Sequence, residues 1–93
     1  VTVNFVIPGA LLDYTGSEGE ILVEGDVTSL DEALALLCRK HPAIRDRILT
    51  EENEVRPHVN IFVNGESVRF TGGLGAAVAD GAEVVILPAI SGG

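Results

Sequence analysis

At 93 residues, 46% apolar and 22% charged, the chain is long enough for one hydrophobic core, too short for two, and too apolar to stay disordered. Its formal charge of −8 argues against binding nucleic acid or an anionic membrane and favours a basic protein partner. The sole cysteine, Cys38, excludes an internal disulfide, and no apolar run approaches the ~20 residues of a membrane span, so a soluble, cytoplasmic protein is expected.

Residues 1–7 alternate Val3, Phe5 and Ile7 with Thr2, Asn4 and Val6, the period of a strand with one buried face. Pro8-Gly9 stops it. Residues 15–19 have turn composition, and residues 20–24 read as a second strand, antiparallel to the first across a loop too long for a tight turn. The strongest helix signal follows. Leu30, Ala33, Leu34, Leu37, Cys38 and His41 form one stripe at helical spacing, and Ser29 with Glu32 has capping-box spacing. Asp31 and Glu32 suit the positive end of that helix, and Arg39 and Lys40 the negative end. Pro42 ends it, residues 43–49 offer a short second helix carrying Ile44 and Ile48 inward, and residues 50–57 read as an exposed loop.

Val59, Ile61 and Val63 then alternate with Asn60, Phe62 and Asn64 as a third strand. Asn64-Gly65 is a hairpin signal, with residues 67–70 as the return strand. Gly72-Gly73 predicts a backbone turn before a short helix, and Asp80-Gly81 a turn into a last strand over residues 83–87. Packing one helix stripe on one sheet face makes an α+β layered domain over residues 1–88. If the last strand pairs beside the first, about five strands grasp one main helix in a β-grasp fold.

The chain's final stretch is Ile86-Leu87-Pro88-Ala89-Ile90-Ser91-Gly92-Gly93. A core strand that gives way at Pro88 to a tail ending in two glycines is suited to threading a narrow channel, because glycine lacks the Cβ that would clash there. Residues 89–93 are expected to form a flexible tail that spans roughly 16–18 Å when extended. Alternation puts Phe62 opposite Val59, Ile61 and Val63, and puts Val85 and Leu87 opposite Val84 and Ile86. Phe62, Val85 and Leu87 are therefore expected to form an apolar docking patch on the open sheet face beside the tail.

Other chemistry-bearing residues fit no site. Cys38 on the apolar stripe is expected to be a buried, inert core residue. His41 and His58 have no partner at metal-ligand spacing, so no metal site is expected. His41 is expected to pack or cap. Asp13 and Tyr14 form no triad legible in sequence. Arg69 suits a partner's carboxylate or a plain surface role equally.

The segments Val59-Asn60-Ile61-Phe62-Val63-Asn64-Gly65 and Val68-Arg69-Phe70-Thr71-Gly72-Gly73-Leu74, then Ala79-Asp80-Gly81 and the stretch from Ile86 to Gly93, resemble the ubiquitin-like sulfur carriers of the MoaD/ThiS family, most closely the CysO type of a bacterial cysteine-biosynthesis pathway. The likeness is strong over the last third of the chain and topological elsewhere. It implies a carrier with no catalytic residue and no bound cofactor of its own. A ubiquitin-activating-type enzyme would adenylate the Gly93 carboxylate, next to Gly92, with ATP. A sulfur source would then displace AMP and leave a thiocarboxylate. Partner contacts would fall on Phe62, Val85, Leu87, Pro88, Ala89, Ile90 and Ser91. The sulfur acceptor implied is a pyridoxal-phosphate cysteine synthase, with a metalloprotease regenerating the carrier. Adenylation gives a poor acyl donor a good leaving group and splits one hard step into two. Sulfur delivery to molybdopterin or to a secondary metabolite, conjugation to lysines as a protein modifier, and a plain adaptor role stand as alternatives.

Overall fold

The structure, a computed structural model, describes residues 1–88. Strand β1 (Thr2–Val6) leads through a 3-10 helix (Gly9–Tyr14) to β2 (Glu20–Glu24) and then helix α1 (Leu30–Lys40). A 3-10 turn (Pro42–Ile44) runs into a one-turn helix, α2 (Arg45–Ile48), followed by β3 (Val59–Val63), β4 (Glu66–Ser67), two 3-10 turns (Val68–Phe70, Gly73–Gly75) and β5 (Ala82–Pro88). The five strands form one sheet in the order β2-β1-β5-β3-β4. Only β1 and β5 run parallel, and each of the other neighbouring pairs is antiparallel. This is the β-grasp arrangement expected when the last strand pairs beside the first.

Helix α1 forms where the stripe predicts. Leu30, Ala33, Leu34 and Leu37 are buried against the inward residues Val3, Phe5, Val23, Ile61, Val84 and Ile86, all in one hydrophobic core. Ser29 caps the helix by accepting from the Glu32 amide at 3.4 Å. The reciprocal bond departs from the usual box, because the Glu32 carboxylate accepts from the amide of Thr28 at 2.9 Å and from its hydroxyl at 3.1 Å. Those bonds hold the Glu32 pKa below the usual carboxylate range, the Thr28 amide being the largest cause. Past the cap, an isolated bridge joins Ser29 to Ala77, with the Leu30 amide donating to Ala76 O at 2.9 Å. Ala76 and Val78 are buried there, so the short segment between Gly73 and Asp80 closes the helix end of the core.

The turns have chemical causes. Asn64 and Gly65, with φ of 49° and 86°, make the two-residue loop between Val63 and Glu66 that positive φ at both positions predicts. The Asn64 side-chain oxygen also accepts from the Glu83 amide at 2.9 Å, tying the turn to the start of β5. At the other edge of β5, Asp80 accepts from the Thr2 amide and the Gly81 amide donates to Thr2 O, each at 2.7 Å. Asp80-Gly81 is thus a turn and also a clamp that lays β5 alongside β1.

Some expectations are corrected. The return strand stops at Ser67, because the Ser67 hydroxyl accepts from the Arg69 amide at 3.4 Å and turns the chain into a 3-10 helix. Val68 still points inward, but Phe70 is 88% exposed. Strand β5 runs one residue further at each end than alternation suggested, and Pro88 pairs opposite Val59. Cys38 is half-buried at the edge of the core rather than inside it, and burial raises its thiol pKa, which disfavours the reactive thiolate. Residues 50–57 do form the mostly exposed loop expected, and it is tied internally: Leu49 bridges to Val55, and the Thr50 hydroxyl accepts from the Glu52 and Glu54 amides at 3.3 and 3.2 Å.

Candidate functional site

Strand β5 carries the chain from the core to its far end, so the site grows around its last residues. Register places Phe62 opposite Val85 and Asn60 opposite Leu87, with Val6 opposite Val85 on the other side. Residues paired across a sheet share a face. Phe62, Val85 and Leu87 therefore lie together on the face turned away from α1, and Val6 extends their row onto β1. Val6 was legible in the sequence as an apolar residue on the polar side of an alternating strand. Phe62 and Val85 are half-buried, and Leu87 is 44% exposed.

Apart from Leu22, 57% exposed on the outer strand opposite Asn4, the rest of this open face is polar. Glu20 sits opposite Val6, Glu83 opposite Asn4, and Glu24 opposite Thr2, and Asn4 donates to Glu20 at 3.0 Å. An apolar strip with an acidic border is a surface on which a partner can dock, with an apolar centre for affinity and charges for orientation. Pro88 belongs to the other face. It pairs with buried Val59 and borders a groove on the helix side, lined also by the Gly9–Tyr14 segment and by α2. Pro88, the last described residue, is thus flanked by the apolar strip on one side and this groove on the other.

The expected contacts at Ala89, Ile90, Ser91, Gly92 and Gly93 lie outside the described residues. Of the residues set aside, His41 ends α1 and lies 3.7 Å from the Glu18 carboxylate. Arg69 donates to Pro57 O at 3.0 Å. Asp13 and Tyr14 fall in the 3-10 helix rather than in an irregular loop. Among the described residues no group of three or more His, Cys, Asp and Glu side chains is placed to hold a metal ion, and no helix is long and apolar enough to cross a membrane. Thr15 is a buried polar residue that sequence reading passed over. Its hydroxyl lies within hydrogen-bond distance of the Leu12 and Glu18 carbonyls, at 3.3 and 2.9 Å, and pins the loop that brings Tyr14 to the groove.

Comparison with known proteins agrees with this architecture. The ThiS family matches residues 5–93. The sulfur carrier protein CysO of Mycobacterium tuberculosis is 38% identical over 95 aligned positions, covering 100% of both chains. A crystal structure of an Amycolatopsis orientalis BexX/CysO complex contains a chain of 38% identity that superposes with a TM-score of 0.85, over 98% of this chain and 99% of that one. The crystal structure of SAMP1 from Haloferax volcanii, 30% identical, also superposes with a TM-score of 0.85, over 100% of each chain. With a match from the first strand through Gly93, the chain belongs to the ThiS family and carries its ubiquitin-like β-grasp fold.

Proposed function

We propose that this chain is a sulfur carrier whose Gly93 carboxylate is adenylated by an activating enzyme and converted to a thiocarboxylate, which then donates sulfur for cysteine biosynthesis. The observation that carries the reading is the end-to-end likeness to a CysO sulfur carrier, 38% identical over 100% of both chains, on a fold whose last strand leads directly into the Gly-Gly end. ATP and sulfur enter through partners, and the carrier serves as their substrate. In the first step the Gly93 carboxylate oxygen attacks the α-phosphate of ATP and pyrophosphate leaves. In the second, a sulfur nucleophile attacks the acyl carbon and AMP departs with the bonding pair. Neither step asks for an acid or base from the carrier. What it supplies is a narrow tail and a body that docks, through the strip of Phe62, Val85 and Leu87 and through Pro88, Ala89, Ile90 and Ser91.

The BexX/CysO complex supports a carrier that works while docked on a protein partner. The sulfur acceptor in this reading is a pyridoxal-phosphate cysteine synthase, followed by a metalloprotease that frees the carrier. Incubation with a ubiquitin-activating-type enzyme, ATP and sulfide should replace one oxygen by sulfur in the intact mass. A chain lacking Gly92 and Gly93 should show no such change. Equal sulfur incorporation by both forms would overturn the reading.

A second reading, conjugation to lysines, is favoured by the likeness to small archaeal modifier protein 1 of Haloferax volcanii, 38% identical over 71 residues that cover 76% of each chain. A ladder of lysine-linked conjugates in extract, lost with Gly92-Gly93, would select it.

A further inference from the structure

The groove at Pro88 has a volume of about 450 Å³ and is lined by Arg47, Arg56, His58, Asp46 and Tyr14 over an apolar floor that includes Leu11. In a chain of net charge −8 with only six Lys and Arg residues, two of the arginines line this one depression. Each is held in place. The Arg47 guanidinium lies 4.7 Å from the centroid of the Tyr14 ring, a cation–π contact. The Arg56 Nε donates to Asp46 O at 2.6 Å, which orients the guanidinium and leaves its terminal nitrogens available. The Asp46 carboxylate is engaged elsewhere, accepting from Arg45 at 3.0 Å. Among the described residues, neither Arg47 nor Arg56 has a carboxylate within ion-pair distance.

We propose that this groove is a second docking element, which receives acidic side chains of the protein that takes up the tail. The inference rests on the carrier reading and extends it from the tail and sheet strip to the opposite side of the tail's root. Any enzyme that draws Gly93 into its active site must cover the surface around Pro88, and the groove begins there. Covering two guanidiniums without an anion leaves desolvated charge uncompensated, so the partner surface that fits is one bearing Asp or Glu. Arginine favours carboxylates in particular, because its planar fork matches their two oxygens. Prior immobilisation of Arg47 by Tyr14 and of Arg56 by the Asp46 carbonyl reduces the ordering cost of binding. The docked carrier would then read opposite charges on its two sides, acidic at the sheet border and basic at the groove, which fixes the direction in which the tail enters.

The test uses the full chain, a ubiquitin-activating-type enzyme that charges it, and ATP, with the initial rate of pyrophosphate exchange followed against carrier concentration. Arg47→Glu with Arg56→Glu should raise KM at least about tenfold while kcat stays within about twofold, as expected for lost charge pairing in docking. Arg39→Glu, which changes net charge by as much as Arg47→Glu alone but on the exposed side of α1, should shift KM less than about twofold. Rising salt should raise the wild-type KM more steeply than that of the double variant. Arg47→Glu alone, which breaks no side-chain hydrogen bond among the described residues, covers the case in which the double variant loses stability. Arg56→Lys should recover part of the affinity lost in Arg56→Glu.

An unchanged KM in the single and double variants, or an equal rise in Arg39→Glu, would overturn the proposal while leaving the carrier reading in place. Failure to charge the wild-type chain at all would overturn both. If the Arg47 and Arg56 side-chain NMR signals of the free protein move when the Gly93 carboxylate is amidated, the groove serves the chain's own carboxylate and the partner assignment is wrong.

Discussion

Leu87 offers a quantitative test of the sheet strip. Its side chain stands on the open face opposite Asn60, one residue before Pro88, and is 44% exposed. Full burial of a leucine side chain is worth about 1.5–3 kcal/mol. Docking can remove only the exposed share, so complete burial at an interface would contribute about 0.7–1.3 kcal/mol, or roughly three- to tenfold in Kd. Leu87→Ala deletes nearly all of that surface. Folding stability should change by no more than about 1 kcal/mol, because the side chain already lies half in water. Leu87→Asp places a carboxylate against the partner's apolar surface and should weaken binding further. Calorimetric titration of each variant against the activating enzyme gives Kd directly, with thermal melts to check the fold. The control is Leu22→Ala on β2. Leu22 is more exposed, at 57%, but sits on the outermost strand, separated from β5 by β1. If Leu22→Ala weakens binding as much as Leu87→Ala, or if Leu87→Asp binds like wild type, the strip beside the tail is not the docking centre.

The core and the helix cap should respond separately. Leu37 is fully buried in the middle of the α1 stripe, so Leu37→Ala should cost about 2–5 kcal/mol, measured as a lower urea midpoint with an unchanged slope. Ser29→Ala removes the acceptor for the Glu32 amide and should cost about 1 kcal/mol, a fall of roughly 4–8 °C in Tm for a domain of this size. The Glu32 contribution depends on pH with a defined sign. Its folded-state pKa is lowered, chiefly by the Thr28 amide, so its stabilisation is present above the unfolded carboxylate pKa and is lost as pH falls through the folded value. Glu32→Gln should therefore flatten the acid side of the stability profile and lower the neutral and alkaline side by a constant amount. An acid limb as steep as wild type would show that the Thr28–Glu32 bonds do not contribute.

Wherever one physical cause dominated, the sequence was readable. Helix α1 combines a continuous apolar stripe with a cap, so its limits lie within a residue of the prediction. Strands β2 and β3 have the predicted limits, since each is a short apolar-rich run bounded by turn residues. Asn64-Gly65 was legible because few residue pairs accept positive φ at two successive positions. The return strand was misread where two causes compete. Val68 and Phe70 have the spacing of a strand, but the Ser67 hydroxyl offers the Arg69 amide a local partner and the 3-10 turn prevails. Cys38 was misplaced because periodicity assigns a side of the helix and not a depth. At the end of α1 the core is already giving way to solvent.

The basic groove was illegible for a different reason. Arg47 lies on a one-turn helix, Arg56 and His58 precede a strand, and Tyr14 is in a 3-10 segment, so no spacing in the chain relates them. They meet only because β5 crosses the sheet centre and ends beside Val59, where the first loop, closed on itself by the Thr15 hydroxyl's bonds to Leu12 and Glu18, also lines the groove. The same topology places Pro88. In the strand order β2-β1-β5-β3-β4, β5 is held by β1 along Ala82–Val85 and by β3 along Val84–Pro88, so its last three residues are laddered to β3 alone. In the carrier reading the Gly93 carboxylate must be aimed, and a strand anchored on both sides over its first half is a firmer base than one held on one side throughout. Loosening the Asp80 clamp on Thr2 should therefore impair charging of Gly93 even though Asp80 is at the opposite end of β5. In Asp80→Ala, a reduced rate of pyrophosphate exchange at saturating carrier, with normal thermal stability, is the expected result. A normal rate would mean that the tail is positioned by the partner alone and that the central strand matters only for folding.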